Sequence, residues 1–243
     1  MMRPLMRRMQ LRAAGLALLS LLSLPSLLSC VTYREKRLRE FTSASLMGVV
    51  FDAEQKPCVG ALVTVDGREG PRTDINGRFL IESLTRGDHR IGVQKDGYES
   101  LETQVSFLQR TQVLYLSVVS QGQLLSEAEE ALDRQKLADA DDLLRRAEAL
   151  NSEDPVGLYL RAVYFTKQDQ PEQAVLLLEK ILQPNRRQPA VLLTLADIYQ
   201  YRIKDIRKAE AFLREYLALD NNPEVRARLG SLEAQSPEAP TTP

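Results

Sequence analysis

The sequence predicts a multidomain protein in which an all-β sandwich is followed by an α-helical repeat solenoid. Two patterns predict this fold class. Short runs of alternating apolar and polar residues recur roughly every ten residues over 46–119. Residues 121–222 then repeat themselves with a period of about 34. The 243 residues, 44% of them hydrophobic and 27% charged, suit globular domains.

The chain begins with the layout of an export signal. A basic segment over 1–12 precedes an apolar run over 13–28, which at about 16 residues is shorter than the roughly 20 that a membrane-spanning helix needs. The run ends in Leu-Leu-Ser-Cys at 27–30, which resembles the lipobox of bacterial lipoproteins, although Leu28 is less usual at its place. An ordinary signal peptide and an uncleaved anchor are the alternatives.

The lipobox resemblance implies a lipid anchor. The signal peptide would be residues 1–29, and Cys30 would carry a diacylglycerol and an acylated amino terminus. Residues 30–45, the lipidated Cys and a spacer, would lift the folded part off the membrane, with four cations facing anionic head groups: Arg34, Lys36, Arg37 and Arg39. The predicted location is the bacterial cell envelope, on the outer membrane or the periplasmic face of the inner membrane, and Val31 favours the outer membrane.

The charge balance argues against a nucleic-acid partner. Lys and Arg total 32 against 33 Asp and Glu, and four of those cations lie in the predicted signal peptide, which holds no acid. The remainder is mildly acidic, so it lacks the basic face that binding to phosphates requires.

Residues 46–119 are predicted to form the β-sandwich. Turn signals such as Asn76-Gly77 and Asp96-Gly97 separate six predicted strands, at 46–52, 61–66, 78–84, 90–94, 101–107 and 111–119. Thr73-Asp74 followed by Gly77-Arg78-Phe79, together with Gly97-Tyr98, resembles the carboxypeptidase regulatory-like domain, which is a transthyretin-like sandwich. That resemblance implies a fold and no activity.

The residue inventory predicts neither catalysis nor a cofactor. A zinc peptidase needs two His and a Glu around its metal, whereas His89 is the one histidine of the chain and falls on the apolar face of a strand. Cys58 is expected to be a half-buried turn residue, because no neighbouring cation in the sequence would activate its thiol. We therefore expect no enzyme, no metal and no cofactor.

Residues 121–222 are predicted to form three helical hairpins. Small residues recur at Ala128, Ala162 and Ala196, and large apolar residues recur at Leu124, Leu158 and Leu192. This pattern resembles the tetratricopeptide repeat, and one extra residue in the third unit is assigned to the loop over 201–205. Residues 223–235 are predicted as a capping helix, and the proline-rich tail over 236–243 is predicted to be disordered.

The tetratricopeptide resemblance implies a concave groove that binds an unknown protein or peptide partner. Its motif places these residues on the groove: Leu125, Glu129, Leu132, Tyr159, Val163, Thr166, Leu193, Asp197 and Tyr201. They suit an amphipathic helix or an extended peptide with an occasional basic residue. The same side chains could instead pack against the β-domain or the capping helix.

The predicted function is a membrane-anchored lipoprotein that acts as a protein–protein interaction scaffold through its helical repeats. One alternative is an envelope lipoprotein that binds a glycan or small ligand, for which Tyr98 and Tyr115 are the candidate platforms in the sandwich. Another is an accessory component of a transport system, which rests on fold analogy alone.

Overall fold

The computed structural model describes residues 41–183 and 188–234. The predicted signal peptide, Cys30, the spacer up to residue 40 and the tail over 236–243 lie outside these residues. Among the helices of the described ranges, none has both the length and the apolar character that a membrane crossing requires.

Within residues 41–183 and 188–234, seven strands form two sheets. The three-stranded sheet has the order β4-β1-β7, in which β1 is antiparallel to β4 and parallel to β7, and the four-stranded antiparallel sheet has the order β3-β2-β5-β6. The strands are β1 (Ser43–Asp52), β2 (Leu62–Val65), β3 (Arg68–Arg72), β4 (Arg78–Thr85), β5 (Gly87–Gln94), β6 (Leu101–Phe107) and β7 (Val113–Val118).

The sandwich core lies between the inner faces of the two sheets. Alternate residues of β1 and β4, such as Leu46 and Ile81, meet Ile91 and Phe107 from the other sheet, and all four are buried. This is the period of two that the sequence shows, since successive strand side chains point to opposite faces.

The Thr-Asp-Ile-Asn-Gly segment acts as a structural clasp. Thr73 is buried, and its hydroxyl accepts from the Ala61 N–H at 2.8 Å and donates to the Cys58 carbonyl at 2.5 Å. Asp74 accepts from two backbone N–H groups of the following turn at 2.8 Å. Gly77 has a φ of +72°, and a Cβ there would lie 2.3 Å from the Val50 carbonyl oxygen. The motif therefore fixes turns and offers no reactive group.

The structure corrects three details of the sequence prediction. Strand β1 begins at Ser43, within the predicted spacer, and Phe41 is buried against Phe107 with ring centroids 5.1 Å apart. Strand β3 was missed because its polar residues show no alternation and it pairs only with β2. Cys58 is fully buried instead of half-buried.

In the described part of the chain, seven α-helices follow the sandwich. They are α1 (Gln121–Asp133), α2 (Leu137–Leu150), α3 (Pro155–Lys167), α4 (Pro171–Ile181), α5 (Pro189–Asp197), α6 (Ile206–Leu217) and α7 (Pro223–Glu233). Four of them begin with proline, whose missing N–H costs nothing at the first helical position. Consecutive helices pair as α1 with α2, α3 with α4, and α5 with α6.

The 34-residue ladder of small residues lies where the paired helices approach each other. Ala128, Ala162 and Ala196 on the first helices are completely buried, as are Ala140, Ala174 and Ala209 on the second helices. Gly230 in α7 continues the first series at the same spacing. The capping helix thus occupies the register of the first helix of a fourth unit.

The extra residue of the third unit lies in a helix, not in the loop where the sequence analysis placed it. Helix α5 continues as a π-helical segment, Ile198–Ile203, which closes at Lys204 with a φ of +62°. A π-turn absorbs one residue by bonding to the fifth residue along the chain. Gln135 and Asp169 adopt the same left-handed conformation after α1 and α3, so they are the equivalents of Lys204 in the first two units. The inserted residue of the third unit therefore lies before Lys204.

Strand β7 passes directly into α1. The Ser120 hydroxyl caps α1 by accepting from the Gln123 N–H, while the Gln121 N–H donates to the Gly97 carbonyl at 2.9 Å. Glu99 accepts two hydrogen bonds from the Arg146 guanidinium, at 2.8 and 2.7 Å, and this pairing lowers the pKa of Glu99. These contacts tie the sandwich to α2 as well as to α1.

Candidate partner-binding groove

Helix α3 supplies the central wall of the candidate groove. Val156, Tyr159, Val163 and Thr166 fall on one face of the helix, since their spacings of three, four and three residues each nearly complete a turn. Val156 is 55% exposed, and the other three are half-buried. The Thr166 hydroxyl is occupied by the Ala162 carbonyl at 2.9 Å, so its methyl group is the part left for a partner.

The next wall is formed by α5 and its π-helical continuation. Leu193 is half-buried, Asp197 is exposed, and Tyr201 is 61% exposed. The Tyr159 hydroxyl lies 3.2 Å from the Thr194 hydroxyl oxygen, which joins the two walls.

Arg228 of α7 covers part of the predicted groove. Its Nη1 lies 2.7 Å from the Asp197 carboxylate, its Nε donates to Gln200 at 2.8 Å, and its guanidinium lies 5.4 Å from the centre of the Tyr201 ring. Packing against the capping helix, which the sequence left open as an alternative, therefore applies to Asp197 and to one side of Tyr201. The Asp197 carboxylate is neutralised by a cation of this chain.

The first helix contributes less than the motif implies. Leu125 and Leu132 are buried in the core beneath α1 and α3, so they cannot contact a partner, and Glu129 alone is exposed. The Leu125 side chain packs against α3 at Gly157, 3.6 Å from the position that a Cβ there would take, which is an ordinary van der Waals distance.

Sequence reasoning missed two residues of this surface. Val156 was omitted, although it stands at the repeat spacing from Gly122 and Ala190 and is the largest of the three. Arg228 was not among the predicted groove residues. Extending the small-residue series to Gly230 would have placed α7 beside α5 and revealed its contacts.

His89 forms a structural ion pair. It is buried, with Nδ1 2.7 Å from the Asp66 carboxylate and Nε2 2.8 Å from the Thr85 carbonyl oxygen. Both partners only accept, so a His89 ring that donates to both of them at once is an imidazolium. Burial alone would lower the pKa of His89, but these hydrogen bonds outweigh it and raise the pKa. Among the described residues, no cluster of side chains has the make-up of a metal site.

The other candidate residues of the sandwich lie apart. Burial raises the pKa of the Cys58 thiol, so it is not activated. Tyr98 is half-buried with the Lys95 ammonium 4.4 Å from its ring centre. Tyr115 is exposed on the outer face of β7. The two tyrosines do not form a shared platform for a sugar.

These features define a β-sandwich joined to a tetratricopeptide-like helical array. Residues 46–129 match the family model described as the CarboxypepD_reg-like domain, which confirms the sequence resemblance. The match runs past β7 into α1, and it gives the sandwich a family. No curated protein sequence matches the chain significantly.

Parts of the chain are also similar to solved structures. The Yersinia enterocolitica type III secretion chaperone SycD in complex with a peptide of the translocator YopD shares 18% identity, with a TM-score of 0.40, over 46% of this chain and 87% of that chain. The Sgt2 TPR domain from Aspergillus fumigatus shares 18%, with a TM-score of 0.42, over 51% and 88%. The 3-chlorocatechol 1,2-dioxygenase from Rhodococcus opacus 1CP shares 16%, with a TM-score of 0.26, over 35% and 63%.

Proposed function

We propose that this protein is a membrane-anchored lipoprotein of the bacterial cell envelope that holds a protein or peptide partner in the groove of its helical array. The observation that carries the proposal is the exposure of two large side chains, Val156 and Tyr201, on the first helices of neighbouring units. A partner that covered both side chains would remove their apolar surface from water, which would stabilise the complex.

The chemistry of the groove selects a partner class. Its walls are apolar and aromatic, with the free carboxylate of Glu129 at one end and the Asp197–Arg228 pair at the other. An amphipathic helix or extended segment would place apolar side chains between Val156 and Tyr201 and a basic residue toward Glu129. Specificity would come from that single unpaired charge, since the other is already neutralised.

The anchor part of the proposal rests on the sequence around Cys30. Two or three acyl chains hold a protein stably on a membrane, at about 0.8 kcal/mol for each buried methylene, whereas one chain is marginal. Metabolic labelling with a palmitate analogue is expected to mark the wild type and to leave a Cys30→Ser variant unmarked. An unmarked wild type, or a mature form that keeps residues 1–29, would refute the anchor.

The groove is tested by affinity capture from a detergent extract of the native host. A Val156→Asp/Tyr201→Asp double variant places charge at both exposed sites without touching the core. The matched control is Leu176→Asp, because Leu176 is 67% exposed on α4, outside the groove. We expect a partner that binds wild type and control equally and is lost, by at least about tenfold, with the double variant. Equal recovery with all three proteins would refute the groove.

A further inference from the structure

The outer face of the three-stranded sheet is apolar although nothing in the described chain covers it. Its middle row runs across the strands as Leu80, Met47 and Val113, which the strand registers place side by side. The next row pairs Val49 with Tyr115, and Phe51 follows in β1. Met47, Leu80, Val113 and Tyr115 are 44 to 68% exposed, and Val49 and Phe51 are half-buried.

The outer face of the four-stranded sheet, in the same domain, is an ordinary polar face exposed to solvent. There, Asp88 accepts from Ser106, Arg90 pairs with Glu102 at 3.4 Å, and Gln104 lies opposite Arg90. The fold therefore does not require apolar residues on an outer face. The apolar residues are therefore particular to the β4-β1-β7 face, and an apolar patch of this kind on a monomer is often functional.

The size of the face argues against a second copy of the chain. Three strands about 4.8 Å apart, over six residues at about 3.4 Å each, give a footprint of roughly 300 Å². A stable protein–protein interface covers about 800 Å² on each partner. Two such faces packed together would bury too little surface for a dimer of their own, whereas a bilayer needs no matching shape.

The position of the tether argues for a bilayer. The described chain begins at Phe41, two residues before β1, and β1 is the central strand of the apolar face. From Cys30, residues 31–40 can reach at most about 35 Å. They hold Arg34, Lys36, Arg37 and Arg39 against two acids, which suits anionic head groups.

Charge on the face itself fits a shallow contact with head groups. Arg78 lies in the row of Val49, and its long side chain can extend its guanidinium to phosphates while its stem stays on the apolar surface. Tyr115 offers a ring with a polar tip, the type of side chain enriched at membrane interfaces. Glu82 lies beyond Leu80 in β4, toward the edge of the patch.

The geometry points to the outer face of the β4-β1-β7 sheet as a bilayer-contact surface that lies on anionic phospholipid when the chain is tethered through Cys30. This inference rests on the proposed lipid anchor. It gives the sandwich a role of its own, because the contact would orient the molecule and fix the direction in which the helical groove faces.

The absence of tryptophan makes the test direct. Residues 30–243 are coupled through the Cys30 thiol to a maleimide lipid in vesicles of phosphatidylglycerol and phosphatidylethanolamine; Cys58 does not compete, because it is buried. Residues 30–243 keep every residue that the structure describes, 41–183 and 188–234. Tyr115→Trp places a single indole on the apolar face, and Gln104→Trp places the matched control on the polar face.

Quenching by lipids brominated on their acyl chains is then measured. We expect the Tyr115→Trp indole to be quenched severalfold more strongly than the Gln104→Trp indole, and an added Met47→Asp substitution to reduce that quenching to the control level. Equal quenching of the two indoles would overturn the inference. The inference would also be overturned if the Tyr115→Trp indole were shielded in solution without vesicles and the sedimentation of the protein depended on its concentration. That result would identify a second copy of the chain as the occupant of the face. Chemical coupling replaces cellular acylation, so failure here is distinguishable from failure of the anchor in labelled cells.

Discussion

The sandwich and the helical array are held together in different ways. The sandwich depends on a few positions that occur once, such as Thr73 and Gly77, which bond backbone atoms of the loop before β2 and of β1. The array repeats one contact three times, with completely buried alanines at 128, 162 and 196. If a contact of the clasp is lost, no equivalent contact remains in the sandwich, whereas each contact of the array is one of several of the same kind.

The two kinds of position within the array also differ. Positions whose residue type repeats from unit to unit form the core, and positions whose residue type varies give each unit its own contacts. Glu127, Arg161 and Leu195 share one register, yet the first is exposed, the second is a buried cation and the third is a buried apolar residue. The groove follows the same rule, because Val156 aligns with Gly122 and Ala190.

The strongest test of the clasp is Gly77→Ala. The added Cβ meets the Val50 carbonyl oxygen at 2.3 Å, and the φ of +72° is strained for any residue with a side chain. The turn must shift and weaken the hydrogen bond from the Val50 N–H to the Gly77 carbonyl. We expect a loss of about 3 to 4 kcal/mol in the free energy of unfolding, measured by urea denaturation.

Gly67→Ala is the matched control for that substitution. Gly67 has a similar φ of +79°, but a Cβ there meets no atom within 4 Å. It should cost only the conformational strain, about 1 kcal/mol. Equal losses for the two variants would mean that the clasp is no more sensitive than an ordinary hairpin turn, and the contrast with the array would fail.

In the array, the corresponding unique position is Arg161. Its guanidinium is buried and bonds Asp141 at 2.5 Å and Glu148 at 2.7 and 3.1 Å, which lowers the pKa of Asp141. Arg161→Ala leaves two partly exposed carboxylates facing each other, so we expect a loss of about 2 to 3 kcal/mol by urea denaturation. Arg161→Met, which keeps the volume, should lose less.

Arg145→Ala sharpens this comparison. Arg145 also contacts Asp141, at 3.4 Å, but its side chain is 62% exposed, and the loss should stay below about 0.5 kcal/mol. If Arg145→Ala and Arg161→Ala cost the same, burial of the charge would not be the reason for the effect.

Much of the fold was predictable because it follows from periodicity. Strand β6 was predicted with its observed ends, since Leu101 and Phe107 bound a clean alternation. The repeat register followed from small residues at fixed spacing. Strand β3 was not predictable, because its Glu-Gly-Pro sequence pairs along a sheet edge and buries nothing.

The candidate site was less predictable, because it depends on contacts between units. Leu125 is buried against α3 of the next unit, where it contacts the region of Gly157, thirty-two positions along the chain. The burial of Arg161 depends on carboxylates of the preceding unit, and the cover over Tyr201 comes from α7. Periodicity identifies the face of a helix, but neighbours decide which side chains on that face remain open.

The last test returns to the sandwich, where the Asp66–His89 pair joins β5 to the turn after β2. The raised pKa of His89 means that its contribution is fully present below its ordinary value near 6.5 and is lost as the pH rises through the raised value. The hydrogen bond from His89 lowers the pKa of Asp66, whose contribution is lost only as the pH falls through that lowered value. Asp88, on the same strand, adds to the rise for His89, and Arg90 donates its N–H to Asp66.

Because the chain has one histidine, a proton NMR titration reports the His89 pKa without assignment. We expect a value above 6.5 in the wild type and a lower one in Asp66→Asn. The variant should lose less than about 1 kcal/mol of unfolding free energy, since Asp66 is half exposed, with the largest loss near pH 5 to 6 and a smaller one at alkaline pH. A loss that grows toward alkaline pH would contradict the imidazolium, and the pair would then be a neutral hydrogen bond like those of the Thr73 clasp.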